Sequence, residues 1–190
     1  RMLSMLTEEP DAYLAQLQAA KLNDDVEVAH YAATAVAQIS KESDLKLQQL
    51  ERAFKTDPSA QNLNKYCDFL GEYLGSGLAE GRVAQIQRQQ YARLLARRCE
   101  REDTLELRIR YASALADVGQ IDEAQAVTDQ LVLDVPDEQE VWMLCLRLAV
   151  MRRDGEEVHR VIDAIDKQHV YLSADNREQL AFWRDGEEAR

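Results

Sequence analysis

The sequence predicts an all-α fold in which antiparallel helix pairs stack into a superhelical solenoid. Good helix formers, chiefly Ala, Leu, Gln, Glu and Arg, dominate the 190 residues, and only 3 Pro and 7 Gly interrupt them. Strand-like runs of β-branched and aromatic residues are absent. Residues 103–136 show the pattern of one helix–turn–helix unit, which must pack on neighbours because it cannot bury its apolar faces alone.

The composition limits which ligands we expect the protein to bind and which cellular compartment we expect it to occupy. Hydrophobic residues form 46% of the chain, which indicates a substantial core and argues against global disorder. The net charge of -12 argues against nucleic acid or an anionic membrane surface as the main ligand. Cys67, Cys99 and Cys145 are far apart and form no C-x-x-C pattern. We therefore expect buried, reduced thiols in a cytoplasmic protein.

The whole chain, 1–190, is interpreted as one helical repeat domain. Its N-terminal part, 7–58, is predicted to be a degenerate repeat of three helices. Thr7 and Pro10 mark the start of the first helix. Asp25 caps an alanine-rich second helix that ends near Ile39, and a third helix covers about 43–54. The apolar residues of these two helices are expected to point inward. They are Val28, Tyr31, Ala32, Ala35, Val36, Ile39, Leu45, Leu47, Leu50, Ala53 and Phe54.

Residues 59–101 are predicted to form an enlarged repeat. Ser59 is the expected cap of its first helix. Four glycines indicate a turn with unusual backbone: Gly71, Gly75, Gly77 and Gly81. The second helix, about 79–101, is expected to point Val83 and Ile86 inward. The interval between Pro58 and Pro136 exceeds two repeats of about 34 residues by about ten, and such enlargements often build partner-specific surfaces.

Two regular repeats and a terminal helix complete the prediction. Repeat 103–136 has an inward face, a turn glycine, a small residue at the helix crossing and a closing proline. These positions are Tyr111, Ala112, Leu115, Gly119, Ala124 and Pro136. In repeat 137–169, Asp137 and Glu140 have the spacing of a capping box, and Trp142 and Val158 are core positions. A helix at 173–184 is expected to cap the last repeat.

Repeats 103–136 and 137–169 resemble tetratricopeptide repeats. The first keeps the small residue, the turn glycine, the Asp-Glu-Ala opening of its second helix and the final proline. The second keeps Trp142 at the aromatic position, but has Val158 where Ala is usual and Val170 where Pro is usual. The resemblance implies a right-handed superhelix that binds other proteins.

A second resemblance covers His30 to about Arg82. This stretch is similar to the cytoplasmic repeat domain of the membrane-anchored E component of bacterial Pel exopolysaccharide machinery. The resemblance implies a scaffold that recruits a cytoplasmic glycosyltransferase to an inner-membrane transporter. No run of eighteen apolar residues is present, so we expect no membrane insertion within this chain. The start at Arg1 is interpreted as a boundary inside a longer protein, with the membrane tether upstream.

The sequence offers no pattern for catalysis. His30, His159 and His169 are the only histidines, and none belongs to a metal-binding or triad pattern. The glycine cluster lacks the Lys-Ser/Thr of a phosphate-binding loop. We therefore expect no catalytic residue, no metal and no cofactor.

Polar side chains outside the core are the candidates for partner binding. An arginine-rich segment follows the glycine cluster and would steer an acidic partner. It comprises Arg82, Arg88, Arg93, Arg97, Arg98 and Arg101. The first helices of the pairs would line a concave surface. They contribute Asn62, Lys65, Arg108, Arg110 and Arg147.

The favoured function is thus a non-catalytic protein–protein scaffold in exopolysaccharide assembly. Two alternatives stay open. A repeat co-chaperone or regulatory adaptor for peptide tails would carry a clamp of Lys, Arg and Asn for carboxylates. A helical domain of an enzyme would contain a deep polar pocket with converging carboxylates or histidines.

Overall fold

The computed structural model describes residues 10–188, and within that range the chain forms nine α-helices and no β-strand. The prediction of an all-α fold is confirmed. The helices are α1 (Pro10–Ala20), α2 (Val26–Thr56), α3 (Ala60–Gly75), α4 (Gly81–Cys99), α5 (Leu105–Asp117), α6 (Ile121–Asp134), α7 (Gln139–Arg152), α8 (Gly155–Lys167) and α9 (Ala174–Glu188). The predicted capping residue Thr7 lies outside the described residues.

The chain divides into two compact units, and the division falls between Gln87 and Arg88, inside α4. The sequence had predicted one domain over the whole chain. In the first unit, α2 packs against both α1 and α3. Its core includes Phe54 of α2 and Tyr66 of α3, whose ring centroids are 6.1 Å apart. The Tyr73 hydroxyl of α3 donates a hydrogen bond of 2.7 Å to Asp44 Oδ1 of α2.

The helix α2 is continuous, so the predicted break between Ile39 and Ser43 is wrong. Neither Gly nor Pro interrupts the 31 residues of this helix. The two serines in this stretch, Ser40 and Ser43, are tolerated inside a helix whose backbone hydrogen bonds continue. Gln38 Nε2 donates to Glu42 Oε1 at 2.6 Å across the expected break, which adds local support.

Six apolar side chains that were expected to point inward are exposed instead. The buried side chains of α2 are Ala32, Leu47 and Phe54. Most of the exposed residues lie on other sides of the helix, and Tyr31 is 71% exposed. Val28 lies one turn before Ala32, near the start of the helix, and is 42% exposed. In α4, alanine and leucine side chains are buried, and the exposed apolar residues lie on other sides. The exposed six are Val28, Tyr31, Leu45, Ala53, Val83 and Ile86.

Caps and glycines set the helix ends of the first unit. The Ser59 side chain accepts from Asn62 N, which confirms it as the N-cap of α3. Gly77 and Gly81 have φ of 72° and 57°, so the predicted turn with unusual backbone is present. Gly71 instead lies inside α3, where the helix continues to Gly75.

The second unit contains two helix pairs joined by short turns. The helix α5 packs on α6, α6 also packs on α7, and α7 packs on α8. The first helices of the two pairs, α5 and α7, contact each other as well. Because the turns between α5 and α6 and between α7 and α8 have only a few residues, each pair is antiparallel.

Two core clusters follow this arrangement. The first joins α5, α6 and α7 through residues such as Ala112, Leu115, Ala124 and Leu148. The second joins α7 and α8 and includes Leu180 of α9, with Trp183 packed against it. The terminal helix therefore covers apolar side chains of the last pair.

The same type of backbone turn ends the first helix of each pair, α5 and α7. Gly119 has φ of 81°, and the amides of Gly119 and Gln120 donate to the carbonyls of Ala116 and Leu115. One repeat length later, about 34 residues on, Arg153 occupies the equivalent position with φ of 57°. This is the Schellman arrangement, which satisfies the last carbonyls of a helix. It is built once with glycine and once with an ordinary residue.

The start of α7 differs from the predicted capping box. Glu138, not Asp137, is the N-cap, and its carboxylate accepts from Glu140 N. The turn before the helix, in which Glu138 N donates to Val135 O, places Glu138 at the cap position. Trp142 Nε1 donates to Pro136 O at 2.7 Å, which fixes the indole against the same turn.

Candidate functional site

The positions assigned to the repeat core lie in the second unit. Ala112, Leu115 and Ala124 are buried between the helices of the first pair. Trp142 and Val158 are buried in the cluster of the second pair. Tyr111 is half-buried and packs against the edge of the first cluster, and Pro136 is exposed at the end of α6. These residues position the helices, so the side chains that could contact a partner lie on the helix faces outside the two core clusters.

The arginines of α5 and α7 that were predicted to bind a partner make contacts between helices. Arg108 Nη1 lies 2.6 Å from Asp134 Oδ2 at the end of α6, and hydrogen bonding to Arg108 lowers the pKa of Asp134. Arg147 of α7 donates to Ser113 Oγ at 3.1 Å and also pairs with Asp117 of α5. These contacts fix neighbouring helices to each other.

Arg110 contacts the part of α4 that belongs to the second unit. Its Nη2 donates to the Tyr91 hydroxyl at 2.9 Å, and its guanidinium carbon lies 5.9 Å from the centroid of the Tyr91 ring. In the first unit, Asn62 Nδ2 donates to the backbone and side chain of Asp57 at 2.9 and 3.0 Å. Lys65 is exposed on α3.

The arginine-rich segment is not one exposed face. Arg82, Arg88 and Arg101 are exposed, whereas Arg98 is only 9% exposed and its Nη2 lies 3.9 Å from Glu102 Oε2. Arg93 and Arg97 are exposed and one turn apart, so they share a helix face. Within the second unit, Arg88, Arg93 and Arg97 are the accessible arginines of α4, and of these three Arg93 lines the cleft described below.

The outward sides of α5 and α7 form a continuous surface, which we call the α5–α7 face. Arg147 joins the two helices across this surface through Ser113 and Asp117. Helical spacing places the other members beside these three residues. The face comprises Ile109, Ser113 and Asp117 of α5 and Met143, Arg147, Val150 and Met151 of α7. Ile109 is half-buried, and Met143 and Val150 are half-buried because they pack partly against the core of the last helix pair. Met151 is 42% exposed and is the most accessible apolar member of the face.

Sequence reasoning found Arg147 on this face but missed its apolar side chains. Met143 precedes Arg147 by four residues, and Val150 and Met151 follow it by three and four, so helical spacing is the signal that could have found them. Unbranched Met side chains adapt to irregular partners, so their presence suits a binding surface.

A cleft of about 380 Å³ lies between α4 and α6, with α5 beneath it. Arg93 lines it on α4, Glu123 lines it on α6, and the Tyr111 ring contributes to its floor. Burial raises the pKa of Tyr111, and the negative charge of Glu123 adds to the effect. The tyrosine therefore stays neutral at physiological pH.

A second groove of about 330 Å³ lies between α6 and α8. Trp142 and Cys145 of α7 line it together with Val161 of α8. Burial, together with the smaller effects of the charges of Asp129 and Glu157, raises the pKa of Cys145 to about 12. A thiol with this pKa is protonated and unreactive at neutral pH.

Histidines do not take part in either opening, since neither the cleft nor the groove is lined by one. In the described range, 10–188, no group of three or more His, Cys, Asp or Glu side chains could hold a metal ion. No described helix has both the length and the apolar character required to cross a bilayer.

Comparisons with known proteins add no relative: no protein-family model, no curated protein and no solved structure matches the chain. Over the described residues, the chain forms an all-α fold. In its second unit, two antiparallel helix pairs pack side by side.

Proposed function

We propose that the chain is a non-catalytic protein–protein scaffold, and that the α5–α7 face holds a segment of a partner protein. The observation that carries the proposal is the contact of α5 with α7, which joins the first helices of successive pairs into one surface. In stacked helix pairs, this is the surface that curves around a ligand. The side chains there combine half-buried apolar groups with polar groups, as protein interfaces do.

The repeated turn supports the same proposal. Gly119 and Arg153 build equivalent helix ends one repeat length apart, and Arg153 adopts a positive φ to do so. A side chain other than Gly, Asn or Asp rarely adopts this conformation without a structural requirement. Here the requirement is that the chain reverses direction at the same point of each helix pair, because stacked pairs need turns at equivalent positions.

The ion pairs make the face a preformed surface. Arg147 links α7 to Asp117 of α5, and Arg152 Nη2 of α7 lies 2.7 Å from Asp122 Oδ1 of α6. Each pair is partly exposed and contributes little stability. Together they restrict the side chains that a partner meets, which reduces the entropy lost on binding.

The accessible arginines of α4 give the scaffold a site for an acidic segment. Arg93 lines the cleft beside Tyr111, and Arg97 follows one turn later. Their charges would steer a carboxylate-rich partner towards the second unit, an effect that salt weakens. Arg98 is left out of this role because it is buried beside Glu102.

The resemblance over His30 to about Arg82 suggests the setting. On that basis, the scaffold recruits a cytoplasmic glycosyltransferase to transporter subunits of an inner-membrane exopolysaccharide complex. The peptide-adaptor alternative requires cations aimed at a carboxylate. On the α5–α7 face the cation is Arg147, and its guanidinium already pairs with Asp117. This favours the scaffold over a carboxylate clamp.

Site-specific crosslinking tests the proposal. A photoreactive phenylalanine analogue replaces Met151, which is exposed enough to accept it. The control carries the same analogue at Tyr171, which is exposed between α8 and α9. We expect a defined protein to crosslink at position 151 in cells that contain the chain's natural partners. Crosslinks of equal yield at both positions, or none at position 151, would contradict the proposal.

Charge reversal tests the arginines separately. We expect Arg93→Glu with Arg97→Glu to slow capture of the crosslinked partner at low salt, and to have little effect at high salt. The matched control, Arg88→Glu with Arg101→Glu, also reverses two exposed arginines of the segment but leaves the cleft unchanged. Equal slowing by both double variants would show that the cleft has no special role.

A further inference from the structure

The groove between α6 and α8 has the dimensions of a short helix site. Its wall on α6 runs from Gln125 to Leu133, a length of about 12 Å at 1.5 Å per residue. The wall on α8 runs from Glu157 to Ala164 and is of similar length. The groove therefore accommodates about two turns of a helix laid along it. It faces a different side of the helix pairs from Met151 and does not include any residue of the α5–α7 face.

The floor and upper edge of the groove are apolar. Trp142 and Cys145 form the floor, and Val132 and Val161 add apolar surface from the two walls. Leu133 lines the groove and is 76% exposed. A partner that covered Leu133 would remove this apolar area from water.

The walls allow a helix but not an extended peptide. Both walls are helices, whose backbone N–H and C=O groups bond within their own ladders. An extended segment would find no backbone partners in the groove and would lose its bonds to water. A helix satisfies its own backbone, so burial of its side chains is not opposed by this cost.

The charges flanking the groove are mostly negative. Asp129 on α6 accepts from Gln125 Nε2 at 2.7 Å, a neutral donor that leaves the carboxylate charge in place. Glu157 on α8 lies 2.8 Å from Arg160 Nη2, the one basic side chain that lines the groove. Both carboxylates also act on the thiol of Cys145 in the floor and help to raise its pKa. Because Arg160 offsets Glu157, the uncompensated negative charge of the groove lining is that of Asp129 on the α6 wall.

We infer that the α6–α8 groove binds an amphipathic helix of a partner protein, with apolar residues at i, i+3, i+4 and i+7 and Lys or Arg on the flank that lies along α6. The apolar residues fit the floor, and the basic residues lie beside Asp129, whose charge is not offset by Arg160. This is a second interaction surface that acts independently of the α5–α7 face, so either can fail without the other.

A constrained peptide tests this inference directly. The probe is a three-turn helix held by a side-chain lactam, with leucines at the four apolar positions and lysines on the flanks, and without aromatic residues. The Trp183→Phe variant leaves Trp142 as the one tryptophan, because the chain contains 2 Trp. We expect the peptide to change the emission of Trp142, and calorimetry to give a saturable affinity. No heat of binding at about 1 mM peptide would overturn the inference.

Charge reversal in the peptide tests the flanks without altering the protein. We expect replacement of the lysines by glutamates to weaken binding by at least about tenfold at low salt, because like charges would face Asp129. Equal affinity of the two peptides would overturn the assignment of a basic partner.

Two protein variants test the location. We expect Leu133→Asn to weaken binding of the lysine peptide by about tenfold or more, since it removes the exposed apolar contact without adding charge. The matched control is Leu105→Asn at the start of α5, an exposed leucine outside the groove. Circular dichroism of both variants establishes that helicity is retained. Equal effects, or no effect of Leu133→Asn, would place the peptide elsewhere.

Discussion

At the scale of single residues, the two equivalent turns form a natural pair for mutation. Gly119 has φ of 81°, and a Cβ there would meet nothing within 4 Å. We therefore expect Gly119→Ala to destabilise the second unit by about 1–2 kcal/mol through backbone strain alone. Arg153 is exposed at the same turn position, so Arg153→Gly should stabilise by up to about 1 kcal/mol. Urea denaturation of both variants measures the two signs, and a loss with Arg153→Gly would contradict the equivalence of the turns.

Tyr73 gives the first unit a dependence on alkaline pH. Burial, followed by its hydrogen bond to Asp44, raises the pKa of Tyr73 to about 12. Between about pH 10 and 12 the unfolded chain loses this proton while the folded chain keeps it, so stability falls as pH rises through that window. Below about pH 10 both states hold the proton, and the contribution is complete.

Asp44→Asn separates the two causes. We expect the pKa of Tyr73 to fall in this variant but to stay above about 10, because burial is the larger cause. The measurement is ultraviolet titration of tyrosinate, with Tyr73→Phe as the control that identifies the late-titrating residue. If Asp44→Asn leaves the titration unchanged, the hydrogen bond has no part in the shift.

At the scale of helices, α9 depends on its inner face. Leu180 is 3% exposed and belongs to the core of the last pair, whereas Phe182 on the same helix is 70% exposed. We expect Leu180→Ala to cost about 2–4 kcal/mol of unfolding free energy. Phe182→Ala, the matched control, should stay within about 0.5 kcal/mol. Similar losses for both in chemical denaturation would mean that α9 is not seated on the core as described.

Local signals predicted some helices well and others poorly. The turn at Gly119 and the cap at Ser59 are marked by residues whose conformational preferences act locally, so the sequence reveals them. The length of α2 was missed because no residue between Ile39 and Ser43 forces either a break or a continuation. Packing against α1 and α3 decides that case, and packing depends on residues far apart in the chain.

The candidate site was predicted less completely, for the same physical reason. Arg147 was recognised as a residue outside the core, but its partner Asp117 lies two helices earlier. An ion pair between such distant positions leaves no periodic trace in the sequence. The buried position of Arg98 was also hidden, because an arginine among other arginines looks like part of an exposed face.

At the scale of the whole molecule, the two tryptophans report on one unit. Trp142 and Trp183 both pack at the core of the last helix pair, whereas the far-ultraviolet circular dichroism reports on every helix. The first unit leaves Tyr31 and other large apolar side chains exposed, so we expect it to be the less stable unit. In urea, the dichroism should therefore begin to change before the tryptophan emission. Superimposable curves would show one cooperative transition instead.

The boundary between the two units has a practical consequence for anyone who wants to produce them separately. It falls between Gln87 and Arg88, in the middle of α4, and not in a loop. A fragment that starts at Arg88 would lack the first turns of α4. The four backbone N–H groups at its new N-terminus would then have no hydrogen-bond acceptor within the helix. Cutting at the glycine-containing linker near Gly77 keeps α4 whole, and is the safer place to begin a recombinant C-terminal half.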